Sequence, residues 1–353
     1  MVNTFTGIFP TPMDVWALSV TPYPSLNKIQ DLSMQNWKAK LIDAYRLSTV
    51  PYRNWKLRQM IKTGQVPVYS LFYHRVSNDN ITPWTITEKQ FEQQIDWLQK
   101  NFEIVDLQES QRRIDSGFND RPTVSLTFDD GYAENCEFAL PMLIERKIPV
   151  CYFVSLDFVT KQQFFPHDLN LGLELPINTI ESLRALDLSG VEIGAHTRTH
   201  LDLGKVTDPL VLADEVIIAS KELEQLIGRT VRYFAFPYGL YGNLNSTVFK
   251  MLKEHGFLGA CSAYGGWNEI GEDAFHIERI HGDPNLERVK NWLSYDPRIA
   301  RVRSFNYNRA RDVVSMPVDS VAEIFEGIDS PITVPEDLLN DHTSQITAPD
   351  VTT

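Results

Sequence analysis

Between residues 123 and 131 the chain reads Thr-Val-Ser-Leu-Thr-Phe-Asp-Asp-Gly, an apolar run that ends in two adjacent carboxylates, Asp129 and Asp130. Two aspartates at the end of a central strand repel each other unless a cation neutralises them, so the pair points to a metal. The competing reading is a helix cap, since Asp is a favoured N-cap residue. A second apolar run, Val191 to Ala195, ends in His196-Thr197-Arg198-Thr199-His200. This spacing sets both imidazoles on one side of a helical turn, from which they can reach one ion. Two imidazoles and one carboxylate leave a divalent ion an open position, the ligand set of a hydrolytic rather than a structural site. A third run, Val231 to Phe236, ends in Pro237-Tyr238-Gly239. Proline fixes one dihedral there and glycine permits another, so the Tyr238 amide can be held facing the site as an oxyanion donor; the alternative is an ordinary turn after a buried strand.

With these three junctions in order, the chain resembles the polysaccharide deacetylases of carbohydrate esterase family four, the NodB-homology family, and within it the subgroup that resembles exopolysaccharide deacetylases. Thr-Phe-Asp-Asp-Gly and His-Thr-x-x-His match the first two family motifs letter for letter, and Phe-Pro-Tyr-Gly matches the later part of the third. The resemblance implies that Asp129 is the general base and that Asp130, His196 and His200 hold one divalent metal, with zinc as the default ion. It implies a distorted (β/α) barrel and hydrolysis of the acetamide of an N-acetylated sugar or polysaccharide, with release of acetate.

The pattern departs from the family at two places. Many members carry, at the position of Ala235, an arginine that orients the catalytic aspartate. Another cation must then serve Asp129, and Arg279, after Phe275-His276-Ile277-Glu278, is the candidate; Arg232 lies upstream within its strand and is a poorer one. The family's last motif normally supplies, near the C-terminus, the histidine that protonates the leaving amine. No such segment is found there. The run from Val66 to His74 resembles a segment of the exopolysaccharide subgroup, which makes His74 the candidate general acid and His281 the runner-up. A non-catalytic, sugar-binding relative and an amidase acting on a small non-sugar amide stay open as alternatives, because the motifs describe the bond broken and not the group that carries it.

The elements that must position these residues follow from alternation. Strand-like runs at 124–128, 150–154, 191–195 and 231–236, with another before Cys261, alternate with helical stretches at about 133–145, 179–186, 208–227 and 246–255. Parallel strands with helical crossovers fit that order, and active groups at several strand ends favour a closed or nearly closed barrel. Thr87 and Gln90 form a capping box for a helix with Phe91, Ile95, Leu98 and Phe102 on one face. Phe164-Phe165-Pro166-His167-Asp168 combines aromatic and polar groups suited to a sugar groove, or equally to a buried loop anchor.

The domain reading is an N-terminal extension at 1–64, helical from about 36 and interrupted at Pro51; a catalytic domain at 65–300; and an acidic, partly disordered tail at 301–353, where no Lys or Arg follows Arg311. A net charge of −13 argues against nucleic acid or an anionic membrane surface as a partner. Three cysteines, Cys136, Cys151 and Cys261, cannot all pair internally. With no basic, apolar leader and no run long enough to span a membrane, they suggest a reducing, cytoplasmic setting.

Overall fold

The computed structural model describes residues 28–295 and 304–308. Apolar runs without alternation suit strands covered on both faces, and the two longest, β1 (Val68–Tyr73) and, further on, Thr123–Phe128, are buried at every position. The strands that follow β1 are β2 (Arg75–Val76), β3 (Thr85–Ile86), β4 (Glu103–Ile104), β5 (Thr123–Phe128), β6 (Cys151–Val154), β7 (Glu192–Ala195), β8 (Tyr233–Ala235), β9 (Gly259–Cys261), β10 (His276–Ile277) and β11 (Ile280–His281). β2 pairs only with β3. The rest form one parallel sheet in the order β10-β9-β8-β7-β6-β5-β1-β11, with β4 beside the start of β5.

The two ends of that sheet belong to one short segment. β10 pairs with β9 (His276 opposite Ala260), and β11 pairs with β1 (Leu71 opposite Ile280). Residues 276–281 are therefore one strand broken at Glu278 and Arg279, whose halves join the first and last strands of the sheet and close it into a distorted (β/α) barrel. Cys151 and Phe153 of β6, Tyr233 and Ala235 of β8, Cys261 and Ile277 form a buried apolar cluster with Leu107. The three cysteines are free thiols, and burial pushes Cys261 up to about 12.

Helices cover the outside. Thr87 and Gln90 make the capping box spelled in the sequence, and the helix Glu88–Asn101 buries Phe91, Ile95 and Leu98. Three local expectations need correction. The helix Lys28–Thr63 begins earlier than expected and runs through Pro51 without a break. Proline withdraws one N–H from the ladder, but the carbonyl it would have served belongs to Leu47, whose side chain is largely exposed, so water can take its place. The stretch 133–145 is a 3-10 turn, Ala133–Cys136, followed by a separate helix, Ala139–Glu145. The stretch 208–227 is helical at Pro209–Ala213 and Ala219–Ile227, with a π turn at Asp214–Ile218 between them. No helix among the described residues is long and apolar enough to cross a membrane. Residues 1–27 and, apart from 304–308, the acidic segment 301–353 lie outside the described residues.

Candidate active site

Asp129 sits where β5 leaves the sheet, its N–H donating to the Tyr73 carbonyl at 2.9 Å. The chain then turns within three residues: the Gly131 N–H donates to the Asp129 carbonyl at 2.9 Å, and Asp130 at the centre has a φ of 73°. That is a γ-turn of the rare positive-φ form, strained for a residue with a side chain. It turns Asp130 away from Asp129, so the two carboxylates enter different surroundings. Neither caps a helix: the 3-10 turn that follows starts after Tyr132.

Asp129 is clamped by Arg279. The guanidinium donates from Nη1 to Oδ1 at 2.7 Å and from Nη2 to Oδ2 at 2.9 Å. Both side chains are buried, Arg279 fully so. Two further donors of Arg279 go to the Ser262 carbonyl and to the Thr127 hydroxyl, each at 2.9 Å. Burial works against the charge on Arg279, but Asp129 outweighs it and raises the pKa. Ala235 is buried in the barrel with no cation of its own, so the guanidinium beside Asp129 comes from the broken closing strand. Arg232 is instead paired with Glu192, part-exposed on the outside.

Asp130, His196 and His200 converge. One donor atom from each lies within 4.8 Å of the others, and Asp130 Oδ1 is 3.5 Å from His196 Nε2 and 3.3 Å from His200 Nε2. His196 Nδ1 lies 2.8 Å from the Ala235 carbonyl. A carbonyl only accepts, so Nδ1 carries the hydrogen and Nε2 offers its lone pair toward Asp130. Burial opposes the charge on Asp130, yet protons drawn to the facing imidazoles of His196 and His200 would hold its carboxyl well below the usual carboxylate range. Burial also lowers the pKa of His200, against the pull of Asp130. The buried Asp130 Oδ1 has no hydrogen-bond partner. An oxygen in that state, facing the lone pair of His196 and the Nε2 of His200, has the donor set that suits a divalent first-row metal.

The two histidines do not share a helical turn as their spacing suggested. Residues 196–200 form a loop in which Thr197 and His200 have φ values of 65° and 58°. Glu215, whose place in a helix offered no sequence signal, braces this loop. Its Oε2 accepts the N–H groups of Arg198 (3.1 Å) and Thr199 (2.9 Å), and its Oε1 accepts the Thr199 hydroxyl at 2.7 Å. The Glu215 carbonyl accepts the Arg198 N–H as well. Glu215 is buried within the π turn, a local insertion frequently found at functional sites.

Tyr238 repeats the turn seen at Asp130. The Gly239 N–H donates to the Pro237 carbonyl at 2.7 Å, and Tyr238 has a φ of 62°. A side chain at Gly239 would strike the Ala263 backbone. The Tyr238 ring packs edge-on against His200, 5.0 Å between centroids. His74 follows the end of β1, its ring 5.3 Å from Trp84 and 6.1 Å from His281. Burial lowers its pKa, opposed by Asp130 and Asp129, and Nδ1 has no hydrogen-bond partner. Burial and then His74 push His281 down to about 3. Phe165, in the aromatic segment, is fully buried and packs 5.3 Å from His200, as a loop anchor would. His167 beside it stays part-exposed.

Residues 117–260 match the family model described as polysaccharide deacetylase. A chitooligosaccharide deacetylase of Bradyrhizobium sp. is 29% identical over 121 residues, 34% of this chain and 47% of that protein. A poly-beta-1,6-N-acetyl-D-glucosamine N-deacetylase of Staphylococcus aureus is 26% identical over 219 residues, 56% of this chain and 72% of that protein. Among solved structures, IcaB from Ammonifex degensii shares the fold at a TM-score of 0.54 and 24% identity, over 64% of this chain and 97% of that one.

Proposed function

We propose that this chain, which carries a polysaccharide deacetylase domain, hydrolyses the acetamide of an N-acetylated sugar with a divalent metal held by Asp130, His196 and His200. The observation that carries the reading is the meeting of that triad with the Arg279-clamped Asp129 at the ends of β5 and β7, the strands on either side of β6. A divalent ion there would polarise the acetyl carbonyl and acidify water toward a pKa of about 7. Zinc is the default choice for two imidazoles and a carboxylate, and other first-row metals fit the same donors.

Asp129 is the general base. Arg279 occupies one direction at each carboxylate oxygen, and each oxygen retains a lone pair for the proton of the attacking water. Water adds to the carbonyl carbon as Asp129 takes that proton, and the backbone N–H of Tyr238 donates to the oxygen on which negative charge develops. The C–N bond then breaks, and His74 supplies the proton that leaves with the amine. The products are acetate and a free amino sugar. Burial favours the neutral form of His74 and makes its charged form a stronger acid, while Asp129 and Asp130 supply the negative field that lets it charge.

The names of the relatives support N-acetylglucosamine polymers as the substrate class. The test is acetate release from N-acetylglucosamine oligomers, run beside a panel of small amides. Hydrolysis of the oligomers, abolished by a chelator and restored by a divalent metal, is the expected result. Hydrolysis of small amides alone would replace this reading with a small-molecule amidase. Binding of oligomers without hydrolysis would make the chain a sugar-binding relative.

A further inference from the structure

The segment Phe164–Asp168 does more than anchor a loop. Phe165 stacks on Phe158 at 4.0 Å and 16° on one side, and on His167 at 5.1 Å and 22° on the other. This aromatic pile holds the imidazole of His167 with its centroid 6.2 Å from that of His200, at the edge of the candidate metal site. About a third of the His167 side chain is exposed, whereas Phe165, Asp168 and Tyr132 are buried. The ring therefore forms a wall of the site that a substrate can touch.

The hydrogen bonds behind the ring decide what it offers. The Tyr132 hydroxyl donates to Asp168 Oδ2 at 2.6 Å and lies 2.9 Å from His167 Nε2. A hydroxyl has one hydrogen, and here Asp168 holds it. Tyr132 can then only accept from His167, so Nε2 bears the hydrogen and Nδ1 of the neutral ring is left as a bare acceptor. The Tyr132 ring is buried, and its backbone is held too: Tyr152 donates to its carbonyl at 2.7 Å, and the next N–H, that of Ala133, donates to the Pro176 carbonyl at 2.9 Å. Building a buried tyrosine and aspartate behind one part-exposed histidine goes beyond what a loop anchor requires.

Resting on the deacetylase reading, we propose that His167 is a substrate-binding residue that accepts a hydrogen bond at Nδ1 from a hydroxyl of the sugar unit undergoing deacetylation. Tyr132 and Asp168 are positioning residues that fix which nitrogen faces the substrate. A site that holds a lone acceptor selects a free hydroxyl and rejects an ether or deoxy carbon at that position, because the acceptor is then left without a partner.

The test compares kcat/KM for β-1,4- and β-1,6-linked N-acetylglucosamine pentamers with kcat/KM for 4-nitrophenyl acetate, which has no sugar hydroxyl. His167→Phe keeps the stack on Phe165 and removes the acceptor, and Tyr132→Phe releases the lock on the ring. Metal content is measured in each protein. The expected result is that the ratio of pentamer to ester activity falls about tenfold in His167→Phe and less in Tyr132→Phe, at metal content equal to wild type. A ratio equal to wild type in His167→Phe, whether both activities hold or both fall together, overturns the assignment. Wild-type protein that cleaves neither pentamer overturns the deacetylase reading and this assignment with it.

Discussion

Arg279 reaches Asp129 across 150 positions of sequence, and that distance explains what was legible at the level of single residues. Asp129, Asp130, His196 and His200 stand in short local motifs, so residue type and spacing expose them. The clamp was readable as a demand with a candidate: with Ala235 in the third motif some cation had to serve Asp129, and Arg279, after the short run 275–278, fitted better than Arg232. Removing the clamp is costly twice. Arg279→Ala leaves a carboxylate buried without its partner, a loss of about 3–5 kcal/mol, and frees the base to rotate. Thermal melting and acetate release should both fall, and a melting temperature close to wild type would show that Asp129 is solvated by other groups. The acid has a separate signature. His74→Ala should slow an N-acetyl sugar much more than an activated aryl ester, whose leaving group needs no proton. Equal losses on both substrates would remove His74 from that role, and a contrast seen instead in His281→Ala would move it to the neighbouring ring.

The elements carry strain where the residues carry chemistry. Asp130 and Tyr238 each centre a positive-φ γ-turn and each precede a glycine, while Thr197 and His200 give the histidine loop its shape. Such conformations hold only when their surroundings over-determine them. For the loop 196–200 the surroundings are Glu215, the Leu156 N–H on the Thr197 carbonyl and the Ser155 hydroxyl on the His196 carbonyl. Glu215→Ala should therefore lower metal affinity by about 10-fold, because it loosens the loop that carries both histidines. A chelator-competition titration reads it, with circular dichroism to check the fold, and affinity within twofold of wild type would make the brace ornamental. The turn at Pro237-Tyr238-Gly239 was legible from its residue types, but the Glu215 brace and the shape of the histidine loop were not. The histidine spacing reads as a helical turn because four residues span one, and an apolar stripe from 208 to 227 reads the same whether or not one turn is wound as π.

At the scale of the whole molecule, the alternation of apolar runs and helical stretches foretold the barrel, because a buried parallel strand is a local pattern. A strand end near Arg279 was legible, but the seam was not foretold, since 276–277 and 280–281 matter only through what they pair with. Glu278 lies in that seam, buried beside Tyr264 and Ser304, in space left by Gly266, and burial pushes its pKa up to about 7. Below the ordinary glutamate value of 4.5 the folded and unfolded chains are both protonated. As pH rises from there toward 7, the unfolded chain releases a proton that the folded one keeps, so the protein loses stability, by about 3 kcal/mol in the limit. Glu278→Gln should accordingly melt above wild type at pH 8, with the gap closing toward pH 4.5; a gap independent of pH would show that Glu278 does not titrate there. The seam has one more consequence, set by the direction of synthesis. Asp129, His196 and His200 all leave the ribosome before the segment that closes the barrel, so a nascent chain exposes the edges of β1 and β9 while Asp129 still lacks its guanidinium. Residues 276–281 supply both missing parts in one event, and the step that shuts the barrel is also the step that arms the base.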